Sequence, residues 1–106
     1  MSEVLLVVTT LPDRPTAERI AEALVTASVA ACVNVLAECT SVYRWQGKIE
    51  RAGEVPLLIK TTREAYARLE ETLRSMHPYD VPEIVAMPVT AGLPAYLHWV
   101  SQETKE

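Results

Sequence analysis

The residues with the most chemistry to offer lie in one stretch, "MHPYDVPEI" at 76–84, which carries His77, Tyr79, Asp80 and Glu83. His77 is one of two histidines in the chain. An imidazole that titrates near neutrality ligates copper, zinc or nickel. Asp80 and Glu83 are close enough in sequence to orient it or to share a metal. Equally, a histidine at a helix end is favoured by the negative end of the helix dipole. The residue types leave both readings open.

Cys32, after Ala30-Ala31, is the second candidate. As a nucleophile or soft-metal ligand it needs a positive neighbour or a metal; as a small buried apolar residue it needs nothing, and that reading is preferred. Cys39 stands beside Glu38 with no partner signature. Cys32 and Cys39 fall on one extended segment, too far apart to bond to each other. Reduced thiols are therefore expected, as in the cytoplasm. Tyr43 and Trp45 are two apart on a strand and share a face, with Arg44 on the other. They suit a cleft wall, and still better a subunit contact, where aromatics are enriched. Lys60 closes an apolar run and either binds an anion or extends to solvent. His98, between Leu97 and Trp99, reads as a surface residue. An enzyme built on Cys32 and His77 would need an orienting group and an oxyanion donor, and the sequence supplies neither. Phosphate-loop, dinucleotide, nucleophile-elbow, HExxH and CxxC motifs are missing too. A non-enzymatic protein is expected.

The elements that must position these residues follow from periodicity. The run "VLLVVTT" at 4–10 predicts a buried strand. Asp13 and Pro15 open a helix whose apolar face takes Ala17, Ile20, Ala21, Leu24, Ala27 and Ala31. The stretch 32–45 reads as extended, Gln46-Gly47 as a tight turn, and 48–61 as the returning strand. Gly53 and Pro56 predict a bulge or a strand switch within it. Thr61 and Glu64 form a capping-box pattern ahead of a second helix with Tyr66, Leu69, Leu73 and Met76 inward. Pro78 stops that helix, a strand follows at 81–89, and Pro94 opens a last helix with Tyr96, Trp99 and Val100.

This order, βαββαβ plus a helix, is the α+β, ferredoxin-like sandwich: one antiparallel sheet with two helices on one face. At 106 residues it forms one domain over 1–106. A sheet covered on one side alternates apolar with polar residues, yet 4–8, 57–59 and 84–87 are apolar throughout. Another copy of the sheet is the simplest cover, so a homo-oligomer is expected. The net charge of −4, with scattered lysines and arginines, argues against nucleic acid. The chain has no phenylalanine to stack bases on the sheet. No apolar run is long enough to span a bilayer, and Met1-Ser2-Glu3-Val4 does not resemble a signal peptide.

Several fragments together resemble the CutA family of divalent-cation-tolerance proteins: "AACVN" at 30–34, "TSVYRWQGKIE" at 40–50, "LLIKTT" at 57–62, "HPYDVPEI" at 77–84 and "YLHWV" at 96–100. They run in order over nearly the whole chain. The resemblance implies a homotrimer, architecturally close to the PII signalling proteins, whose sheets pack around a threefold axis and whose long hairpin embraces a neighbour. It implies a role in tolerance of divalent cations, copper above all. It implies no required cofactor; Cu²⁺ or another divalent cation is the expected metal, with His77 and Cys32 at the positions associated with copper. Some members carry cysteine or histidine at the positions of Thr9 and Met76, and this chain does not. Tyr43, Trp45, Lys60 and Glu83 fall in family motifs as cleft residues. The alternative is a PII-like trimer binding a small anionic ligand, or docking a protein, in its subunit clefts.

Overall fold

The computed structural model describes residues 3–105. The reading of Met1 and Ser2, and the two extreme ends of the expected domain, lie outside the described residues. Along the chain come β1 (Val4–Leu11), α1 (Arg14–Thr26), β2 (Cys32–Val35), β3 (Cys39–Trp45), β4 (Lys48–Thr62), α2 (Tyr66–Met76), β5 (Val85–Pro88) and α3 (Pro94–Glu103). The expected α+β order is present, with the second strand divided into β2 and β3.

Asp13 caps α1, accepting the Thr16 amide at 2.8 Å, and Ala17, Ile20, Ala21 and Leu24 are its buried stripe. The helix ends earlier than the apolar spacing to Ala31 predicts. Ser28 adopts a φ of 59°, and the amides of Ser28 and Val29 bond back to the Val25 and Leu24 carbonyls. That pair of bonds is a Schellman closure, with serine where glycine is usual. Val29 and Leu24 then meet in the core. The start of α2 also differs from expectation. Thr61 stays in β4, buried, its hydroxyl donating to the Val29 carbonyl at 2.7 Å. The side-chain oxygen of Thr62 accepts the Ala65 amide instead, and the helix opens at Tyr66, so Glu64 precedes its first turn. The strand expected at 81–89 shortens to β5, since Pro82 and the turn around it precede the ladder.

The sheet runs β2-β4-β1-β5, all antiparallel, and β3 pairs with the outer half of β4. Gln46 and Gly47, at φ of 51° and 80°, make the hairpin turn, as a two-residue loop with both central residues at positive φ does. Gly53 and Pro56 bracket a change of partner: Glu54 pairs with Cys39, whereas Val55 pairs with Leu11. Val7, Ile59, Leu57 and Leu11 face α1 and α2 and pack with Ile20, Leu24, Leu69 and Leu73. Each such side chain contributes about 1.5–3 kcal/mol when fully buried. The other face carries Leu6, Lys60, Met87 and Cys32 in one row and Val8, Leu58, Val85 and Asn34 in the next. Only one end of it is covered, where Val100 of α3 packs on Val4 and Ala31. Val85 and Met87 are exposed. Among the described residues, no helix is long and apolar enough to cross a membrane.

Local chemistry sets two expectations for stability. Ser28→Gly relieves the left-handed backbone and should stabilise the protein by up to about 1 kcal/mol in denaturant titration. Thr9 is fully buried and its hydroxyl lacks a hydrogen-bond partner. Thr9→Val removes that desolvated group and should be neutral or stabilising by about 1 kcal/mol. A clear loss of stability in the valine variant would mean that the hydroxyl is satisfied in solution.

Candidate functional site

Pro78 sets the geometry around His77. It stops α2 and leaves His77 as the C-cap, with extended backbone at φ −73° and ψ 132°. The ring folds under the end of β1 and is almost fully buried. Its Nε2 lies 2.9 Å from the Thr10 carbonyl and its Nδ1 accepts the Tyr79 amide at 3.3 Å. A carbonyl can only accept, so Nε2 carries the proton and Nδ1 the lone pair. Burial lowers the imidazole pKa below its usual value. The Thr10 bond and the charge of Glu54 oppose that shift without reversing it. His77 is thus a neutral ring whose Nδ1 is closed by one long hydrogen bond.

Beside it stands Tyr79, its ring centroid 4.9 Å from that of His77. The Tyr79 hydroxyl donates to Glu54 Oε2 at 2.8 Å, and the Thr10 hydroxyl reaches the same oxygen at 3.2 Å. Burial, then the bond to Glu54, raises the Tyr79 pKa. Glu54 and Tyr79 form the floor of a cavity of about 540 Å³. Ser41, Val42, Tyr43 and Trp45 of β3 and Asp80 and Glu83 of the segment after α2 complete its lining. Three carboxylates and three aromatic rings therefore line one space, and among the described residues no basic side chain lines it.

The remaining candidates lie elsewhere. Cys32 and Lys60 are direct cross-strand neighbours on the open face, with Lys60 Nζ 3.9 Å from Cys32 Sγ and bonded to Asn34 Oδ1. Tyr96 of α3 approaches the same thiol, and burial, then Cys32, raises the Tyr96 pKa. Lys60 stands six residues along β4 from Glu54, about 20 Å at strand rise. The expected grouping of Tyr43, Trp45, Lys60 and Glu83 is corrected accordingly: three line the cleft, whereas Lys60, on the same face of β4 as Glu54, lies farther along the strand beside Cys32. His77 and Cys32 do not meet within one chain either. Thr10, which His77 contacts, pairs with Pro56, four residues and about 13 Å from Lys60. Cys32 and Cys39 are both free thiols. Sequence reasoning passed over Glu54 and gave Tyr79 no role beyond its place in the 76–84 stretch. The available signal was an acid set between Gly53 and the apolar run that starts at Val55.

Comparison with known proteins gives the family and the fold. A sequence profile described as "CutA1 divalent ion tolerance protein" matches residues 5–103. The divalent-cation tolerance protein CutA of Thermus thermophilus is 46% identical over 104 residues, covering 98% of this chain and 99% of that protein. Mouse protein CutA is 48% identical over 96 residues, covering 91% of this chain and 54% of its own. The crystal structure of CutA from Xylella fastidiosa has a TM-score of 0.95 at 45% identity, covering 98% of this chain and 100% of that one.

The His77 environment sets a pH dependence. A histidine whose folded pKa lies below its unfolded value costs stability as pH falls through the unfolded value, about 6.5, because the unfolded chain takes the proton first. The cost levels off below the folded pKa. Parallel denaturation of wild type and His77→Gln, which keeps a donor for the Thr10 carbonyl, should show the gap between them shift in favour of the variant below about pH 6.5. A gap that stays constant with pH would mean that the ring is not held neutral.

Proposed function

The chain belongs to the CutA1 divalent ion tolerance family, and on that premise we propose that it acts without catalysis, as a homotrimer that binds a divalent cation, Cu²⁺ foremost. The observation that carries the proposal is the cleft of Glu54, Asp80 and Glu83, which holds negative charge with no basic residue beside it. His77 adds the nitrogen that copper prefers to oxygen. His77 does not itself line the cleft but stands beside it through Tyr79, so a metal using Nδ1 would have to displace the Tyr79 amide. Among the described residues no three of His, Cys, Asp or Glu are placed to close on one ion. Binding by one chain is therefore weak, with further donors coming from water or a neighbouring copy. Cys32 enters as a ligand only if the assembly brings a neighbour's His77 side toward it.

Trimerisation is supported by the open sheet face. Leu6, Val8, Leu58, Val85 and Met87 form apolar rows there, and Val42 and Ile49 project from the β3–β4 hairpin. Contiguous apolar area of this kind marks an association surface. Free thiols suit a reducing compartment, and the cytoplasm is the proposed location. A PII-like anion site draws less support, since none of the described residues lining the cleft is a cation and Lys60 stands about 20 Å along β4 from Glu54.

Calorimetric titration of Cu²⁺ should give saturable binding to wild type and its loss in His77→Ala; unchanged affinity would remove His77 from the site. Light scattering in dilute neutral buffer should return the mass of three chains, and a monomer would contradict the assembly.

A further inference from the structure

We draw no further inference here: the strongest candidate, the side-chain cluster of Cys32, Asn34 and Lys60 on the open face of the sheet, rests on a single cysteine whose neighbours already bond to one another, and nothing in the structure shows what covers that face in the assembly.

Discussion

The fold depends on one long strand. β4 pairs with β1, β2 and β3, and changes partner between Glu54 and Val55. Up to that point it is half of a solvent-exposed hairpin. Beyond it, the strand is the centre of a sheet, and its inward residues Leu57 and Ile59 are fully buried. Glu54 occupies the junction, so backbone pairing on both sides fixes the position of its carboxylate. The hairpin then brings Tyr43 and Trp45 over it, and the segment after α2 brings Tyr79, Asp80 and Glu83. Chemistry at the cleft thus follows from strand register, which one slipped residue would invert.

The same strand explains why the two faces differ. Helices α1 and α2 take one face, and the interior there is closed by Leu24, Leu69 and Leu73. On the other, α3 reaches only the end near Val4 and Thr62. Among the described residues of a single chain, Leu6, Val8 and Leu58 are only partly covered and Val85 and Met87 are exposed. At about 25 cal/mol per Å² of apolar surface, association through such rows is favourable. The proposed trimer and the doubly apolar strands are two expressions of one fact. Cys32 and Lys60 lie within these rows, which makes them candidates for an interface rather than for the cleft.

Much of this was legible in the residue pattern. The alternation of helix and strand periods predicts the element order, and the run from Val4 to Val8 already implies a sheet used on both faces. Misreadings arose where backbone conformation outran periodicity. Ser28 in a left-handed turn ends α1 while alanines continue at helical spacing. Thr61 was the expected cap because threonine suits that position, but its hydroxyl is claimed by the Val29 carbonyl inside the core. Site membership was harder still. Tyr43, Trp45 and Glu83 were recognisable, whereas Glu54 acquires meaning only when Tyr79, 25 residues away, donates to it. Lys60 and Glu54 are six residues apart on one face of β4, yet the extended strand sets them about 20 Å apart, one beside Cys32 and the other in the cleft.

The central claim is that a positively charged ligand is received at Glu54. Crystals of the assembled protein soaked with Cu²⁺, with anomalous scattering recorded at the copper edge, test it most directly. The account predicts an anomalous peak in the cleft beside His77, bordered by Glu54, Asp80 and Glu83. A peak confined to Cys32 and Lys60 on the sheet face, with no cation of any kind at Glu54, would contradict it.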